Sequence, residues 1–147
     1  MDEMEHDDAE AALTAVSSFI AGINAHDVHD LLELMTEDHL FVDSLGATVR
    51  GREAMRGAWN GYFRLFPDYH VEIEVQLARG GVVLACGTAR GTHGALPPVT
   101  HALQEVRQTG SWSAPAAWRA VVRGGRIAEW QVYCDNEPAR RVLAAHG

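Results

Sequence analysis

The pair Gly124-Gly125 constrains this chain more than any other two residues. It separates two stretches, Trp112 to Arg123 and Arg126 to Asp135, that read as long strands. Two glycines between such runs mark a two-residue hairpin turn, because both central positions need a positive φ. Counting outward from that turn pairs Arg123 with Arg126, Val121 with Ala128, Arg119 with Trp130, Ala117 with Val132 and Pro115 with Cys134. Paired residues share a face. In the second strand Ala128, Trp130, Val132 and Cys134 are apolar, whereas Glu129, Gln131 and Asp135 are polar. The expectation is an inner face that carries Arg119 beside Trp130, with Trp118 on the outer face. An inward arginine needs an anion, a carboxylate or a ligand oxygen. An outward Trp118 near Ala120, Val122 and Ile127 predicts a covered surface, a homodimer interface through the outer sheet face. Another loop length would exchange these two conclusions.

Two further strands precede the hairpin. Tyr69 to Ala78 alternates, with Tyr69, Val71, Ile73, Val75 and Leu77 on one face and His70, Glu72, Glu74 and Gln76 on the other. Arg79-Gly80-Gly81 turns the chain into Val82 to His93, whose odd-numbered residues become small: Ala85, Gly87, Ala89 and Gly91, ending at His93. Glycine in a strand often marks close approach of a ligand or another backbone. Between Gly94 and Gly110, Pro97-Pro98 reads as a loop and Ala102 to Gln108 as a strand or a short helix. The Pro97 to Trp112 connection is long enough for a lid or a specificity wall.

The N-terminal half reads as helical. Leu13, Val16, Phe19, Ile20 and Ile23 recur at helical spacing between Asp8 and Asn24. Asp27 is a good N-cap for a second helix with Val28, Leu31, Leu32 and Met35 as its stripe. His26, His29 and Asp30 have a spacing that suits a metal, but no further ligand is implied nearby. A solvated helix start is the preferred reading, and no metal site is expected. A third helix is predicted from about Arg52 to Leu65, with Met55, Trp59, Tyr62, Phe63 and Phe66 on one side. That aromatic stripe is core, and bulky enough to wall an apolar cavity. Glu137 to Ala145 has the makings of a short terminal helix.

Between the second and third helices lies His39-Leu40-Phe41-Val42-Asp43. Alternation puts His39, Phe41 and Asp43 on one face. Phe41 needs burial, so Asp43 is expected to point into the same apolar space, where a carboxylate is either costly or useful. The plainer reading is an aspartate that ends a strand before a turn at Ser44-Leu45-Gly46.

The 147 residues suit one domain with a real core. A net charge of −8 argues against nucleic acid. No apolar run spans a bilayer, and the start MDEMEHDDAE is acidic where a signal peptide is basic, so no membrane partner and a cytoplasmic location are expected. The two cysteines, Cys86 and Cys134, sit in strand-like apolar contexts and read as buried thiols. Residues 1–8 read as a disordered acidic tail, and 9–147 as a single domain.

The strings EDHLFVDSLGATVRGREAM, LFPDYHVEIE, ARGTHG and GGRIAEWQVYCD, in this order, resemble the nuclear transport factor 2-like superfamily, in its SnoaL-like polyketide cyclase and ketosteroid isomerase-like branch. The resemblance covers nearly the whole chain from about Ala9. It implies an α+β fold: a cone-shaped, curved antiparallel sheet packed on three N-terminal helices, with an internal apolar pocket. The fold hosts many activities.

Carried over residue by residue, the resemblance places the isomerase-type general base at Asp43. The two oxyanion donors of that pattern fall on Phe19 and Ala117, which cannot donate. The epoxide hydrolase pattern falls on Gly87, Ala89 and Val132, and the cyclase base on Cys134, or on Asp135 if the strand slips by one. The resemblance thus implies a cofactor-independent cyclase or isomerase acting on an apolar, oxygenated, polyketide-like small molecule. Asp43 would be the base, with Arg119 or His93 replacing the lost donors. The expected substrate wall is Phe19, His39, Phe41, Trp59 and Phe63 from the first half, and Tyr69, Trp112, Trp130, Val132 and Cys134 from the second. The alternative is a non-catalytic ligand-binding or dimeric scaffold module of the same fold.

Overall fold

The computed structural model describes residues 3–94 and 110–146. The chain runs α1 (Glu3–Ala25), α2 (Val28–Glu33), β1 (Met35–Val42), β2 (Thr48–Arg50), α3 (Arg52–Leu65), β3 (His70–Arg79), β4 (Val82–Thr92), β5 (Ser111–Arg123), β6 (Arg126–Cys134) and α4 (Glu137–His146). The expected strand or helix at Ala102–Gln108, and the loop at Pro97-Pro98, lie outside the described residues. The first helix begins at Glu3, within the stretch read from sequence as a tail.

The six strands form one curved sheet in the order β2-β1-β6-β5-β4-β3. The α+β class and the curved sheet are as expected, but the sheet is mixed rather than purely antiparallel, since β1 runs parallel to β6. A parallel neighbour requires a long crossover, and here most of the chain lies between the two strands. The helices follow from their apolar stripes. Val16, Phe19, Ile20 and Ile23 of α1 are buried, as are Met55, Trp59 and Phe63 of α3. Asp27 caps α2 by accepting a hydrogen bond from the Asp30 amide at 3.0 Å.

Side-chain bonds tie α1 to the sheet. Asn24 donates to the Val71 carbonyl at 2.9 Å and accepts from the Val71 amide at 2.8 Å, so it completes the start of β3 as a strand neighbour would. His26, in a left-handed conformation with φ 54°, lies flat on Phe63 at 4.1 Å and has Nε2 2.8 Å from the Tyr69 carbonyl. The residues first weighed as metal ligands therefore include one that fixes the backbone of Tyr69.

Two single-residue bulges decide which side chains face inward. The Gly124-Gly125 turn forms as expected, with φ of 58° and 76° and Arg123 opposite Arg126. Beyond Val122–Ile127, however, the ladder resumes at Val121–Glu129, so Ala128 is an extra residue. One inserted residue exchanges the faces of everything past it. Trp118 is consequently buried at 2% exposure, and Arg119 lies on the other face, 2.9 Å from Glu129 and 3.3 Å from Gln131. The expected inward Arg119 and outward Trp118 are both corrected. Burying an unpaired guanidinium costs several kcal/mol, of the order of ~5, whereas burying a large apolar side chain gains about 1.5–3 kcal/mol.

The bulge has its own support. The Ile127 amide donates to the Leu34 carbonyl at 2.7 Å, and the Ile127 carbonyl lies 2.8 Å from His39 Nδ1. Both polar groups of the residue beside the inserted one are thus satisfied from β1 and the chain before it.

The second bulge, at Glu74, lies between the pairs Ile73–Gly87 and Val75–Cys86. Val71 is buried, but Val75 and Leu77, expected on the same face, are exposed, Leu77 to 69%. With Val82 and Leu84 they form an apolar surface on the outer side of β3 and β4. The small residues of β4 face inward, yet they admit protein rather than ligand. A Cβ on Gly87 would meet the Glu72 carbonyl oxygen, and one on Gly91 would meet Phe66 at 3.1 Å and the Trp112 indole nitrogen at 3.2 Å.

Candidate functional site

A cavity of about 360 Å³ opens between α3 and the inner face of the sheet. That is the small end of the ~300–1,000 Å³ range of ligand pockets. Its wall is aromatic: Phe41, Trp59, Tyr62, Tyr69, Trp118 and Trp130. Ile23, Met55, Ala58 and Val132 complete the apolar surface, and Asp43, Ser44 and Asn136 supply the polar rim.

Phe41 on β1 and Asp43, the first residue after it, both reach the cavity, as the sequence predicts. Asp43 Oδ1 accepts hydrogen bonds from the Leu45 and Ala47 amides, both at 2.9 Å. Its backbone closes the same turn, accepting from the Gly46 amide and donating to the Ala47 carbonyl. One carboxylate oxygen therefore organises the turn, and Oδ2 has no donor among the described residues. Asp43 is also the one carboxylate in the cavity lining among the described residues. Across the rim, the Asn136 side-chain amide donates to the Ser44 hydroxyl, joining the turn after β1 to the entry of α4.

The wall is built differently. Trp59 and Tyr62 stand one turn apart on α3, and Tyr62 meets Tyr69 edge-on at 4.8 Å. The two hydroxyls lie close enough to influence each other's ionisation. Burial pushes both phenols well up, reinforced by the nearby Cys134 thiol and, for Tyr69, more strongly by Tyr62. Both are therefore neutral hydroxyl donors across the ordinary pH range. The Trp59 indole N–H is buried without an acceptor among the described residues.

The sequence-predicted site residues divide. Asp43, Phe41, Trp59, Tyr69, Trp130 and Val132 line the cavity together. Phe19 is buried behind the wall, 4.8 Å from Trp130. His39, fully buried, holds the β6 bulge and packs near Phe19 at 6.3 Å. Burial lowers its pKa, opposed by the bond to Ile127, so the ring is neutral. Phe63 stacks on His26, and Trp112 packs on Phe66 and Tyr69. Cys134 is half-buried beside the tyrosine pair, its thiol pushed up by burial and by Asp135. His93 is buried at the end of β4, and Arg119 pairs with Glu129; neither lines the cavity. Nor is Ala117 the inward residue at the lost-donor position, because the bulge brings Ala116 and Trp118 inside instead.

Sequence reasoning missed Trp118, Ser44 and Asn136 as lining residues, and placed Tyr62 on the stripe suited to wall a cavity but not among the substrate-contacting residues. The signal for Tyr62 was its place three residues after Trp59 on the aromatic stripe. Among the described residues, no group of three or more His, Cys, Asp or Glu is arranged to hold a metal, and no helix is long and apolar enough to cross a membrane.

Solved structures share this architecture. A candidate SnoaL-like polyketide cyclase from Jannaschia sp. CCS1 superposes with a TM-score of 0.73 at 17% identity, covering 95% of this chain and 93% of that one. An LEH-like epoxide hydrolase from M. tuberculosis gives 0.73 at 18% identity, covering 94% and 92%. IdmH, a candidate polyketide cyclase from Streptomyces antibioticus, gives 0.69 at 24% identity, covering 90% and 98%. Likeness at these identities shows the fold. Among curated proteins, none matches this chain. The family model of the SnoaL-like domain matches residues 16–130, from the middle of α1 to Trp130 on the cavity wall. The chain belongs to the SnoaL-like domain family.

Proposed function

We propose that this protein is a cofactor-independent cyclase or isomerase for a small, apolar, oxygenated molecule of polyketide type, with Asp43 as general base. The observation that carries this reading is one carboxylate, with Oδ2 free of donors among the described residues, at the rim of a largely aromatic and aliphatic cavity. In the reaction, Oδ2 takes a proton from a C–H beside a substrate carbonyl, and the C–H electron pair moves onto the carbonyl oxygen. The enolate carbon then either receives the proton back elsewhere or attacks a second carbonyl of the same molecule. In the second case Asp43 returns the proton to the new alkoxide. Atoms and electrons balance within the substrate and the aspartate.

The test is α-proton exchange of 2-tetralone in D₂O, followed by NMR. Wild-type protein should accelerate exchange, and Asp43→Asn should lose about 10²–10⁴-fold of that acceleration. Asparagine keeps an Oδ1 acceptor for the Leu45 and Ala47 amides, so a folded variant with full exchange activity would remove Asp43 from the mechanism.

One observation favours the second reading, a non-catalytic ligand-binding module: Oδ1 has a complete structural role in the turn. Binding of the ketone without any enhanced exchange would support it. The exposed apolar face of Val75, Leu77, Val82 and Leu84 also supports homodimerisation through the outer sheet face. Sedimentation of wild type against the double variant Leu77→Asp, Leu84→Asp tests this, and a wild-type monomer at micromolar concentration would overturn it.

A further inference from the structure

Two familiar oxyanion donors are missing, since Phe19 has no hydroxyl and the strand position that would carry an acid offers Ala116 or Trp118 on its inner face. An enolate formed by Asp43 still needs a donor, because a preorganised hydrogen bond to developing charge is commonly the largest single contribution to such a step. The wall opposite β1 contains one. We propose that the Tyr62 hydroxyl, polarised by Tyr69, donates the hydrogen bond to the carbonyl or enolate oxygen of the ligand. This rests on the cavity being the substrate site.

Four observations converge on it. Tyr62 and Tyr69 both line the cavity that Asp43 rims. Their rings meet edge-on at 4.8 Å, and their hydroxyls interact. When one phenol of such a pair donates to the other, the second keeps its proton for an outside acceptor. A chain of this kind strengthens the outer donor through polarisation. Third, Trp59, one helical turn before Tyr62, has a buried indole N–H without an acceptor among the described residues. A buried unmatched donor is costly, and a ligand oxygen would satisfy it. Fourth, the backbone of Tyr69 is held by the His26 ring, itself stacked on Phe63, so the polarising phenol is fixed from behind.

The ligand class follows from these groups. Neutral donors favour a carbonyl, an enolate or a phenolate oxygen over a cation. The apolar walls favour a flat hydrocarbon body around that oxygen, and a volume of about 360 Å³ accommodates two fused rings.

The experiment compares 2-acetylnaphthalene with 2-isopropylnaphthalene, which has nearly the same shape and no acceptor. Binding is read from tryptophan fluorescence, since Trp59, Trp118 and Trp130 form the wall. Tyr62→Phe removes only an oxygen. It should weaken the ketone by roughly five- to tenfold, the worth of one hydrogen bond, and leave the hydrocarbon within about twofold. Tyr69→Phe should weaken the ketone by a smaller factor, again sparing the hydrocarbon. The carbonyl stretch of the bound ketone should shift down in wild type and revert in Tyr62→Phe. Unchanged ketone binding in Tyr62→Phe, or equal losses for both ligands, overturns the donor assignment while leaving the Asp43 exchange test standing. Binding of neither ligand to wild type overturns the reading of the cavity as a site, and this inference with it.

Discussion

The rim and the wall of the cavity use their polar groups in opposite ways. At the rim, Asp43 binds two backbone amides and Ser44 binds Asn136, so most hydrogen-bonding capacity is directed at the protein itself. On the wall, Trp59 has an unmatched donor among the described residues, and both tyrosine hydroxyls stay protonated. The rim is therefore built as a frame with one carboxylate oxygen free among the described residues. The wall retains unmet donors, which a folded protein tolerates poorly unless something else meets them. A frame that holds a carboxylate at the rim and a wall with hydroxyl and indole donors are what the proposed reaction on a carbonyl beside an acidic C–H would use.

The comparison breaks first at the packing of the wall. Trp118 stacks against Trp130 at 6.5 Å, and both are almost fully buried. Trp118→Ala should cost about 3–5 kcal/mol of unfolding free energy in a denaturant titration. Arg119→Ala, on the opposite face, should cost about 1 kcal/mol or less. Similar losses for the two would mean that the β6 bulge does not persist in solution.

A smaller effect is expected at the rim. Asp43→Ala leaves the Leu45 and Ala47 amides without their acceptor and should lose about 1–2 kcal/mol. Asp43→Asn should stay within about 0.5 kcal/mol of wild type by the same titration. Equal losses for alanine and asparagine would show that charge, not turn geometry, is what Asp43 contributes. Asn136→Ala, which releases Ser44, should lose about 1 kcal/mol, visible as a modest fall in Tm.

The smallest effect, and the one most specific in form, concerns pH. His39 is buried and neutral, its pKa below the ordinary 6.5. The unfolded chain therefore takes up a proton at this residue before the folded chain does. Its contribution to stability is present above about pH 6.5 and is lost as pH falls towards the depressed folded value. The slope is at most about 1.4 kcal/mol per pH unit. His39→Gln keeps a donor for the Ile127 carbonyl and removes the titration. Stability curves of the two proteins should run together above pH 7 and diverge below pH 6.5, with wild type falling faster. Parallel curves down to pH 5 would mean that His39 is not buried neutral.

Much of this molecule is legible from local pattern. The aromatic stripe of Met55, Trp59 and Phe63 delimits α3 as Arg52–Leu65, and Gly124-Gly125 marks the hairpin. Alternation through Phe41 and Asp43 brings both to the cavity. These features rest on 3.6-residue or two-residue periods, or on turn conformations that few residues adopt. Family membership is legible for the same reason, because the order of such elements is a property of the string.

Only the tertiary structure decided the two bulges, and with them the faces of Trp118, Arg119, Val75 and Leu77. A bulge adds one residue to a ladder without altering the composition of either strand. Its placement depends on partners remote in the chain: Leu34 and His39 receiving the backbone of Ile127, and a hydrophobic core that takes an indole more readily than a guanidinium. The meeting of Tyr62 with Tyr69 belongs to the same class, for it depends on how α3 packs over the start of β3. Periodicity specifies which residues share an element's face; long-range packing and the satisfaction of buried backbone groups decide which way that face looks.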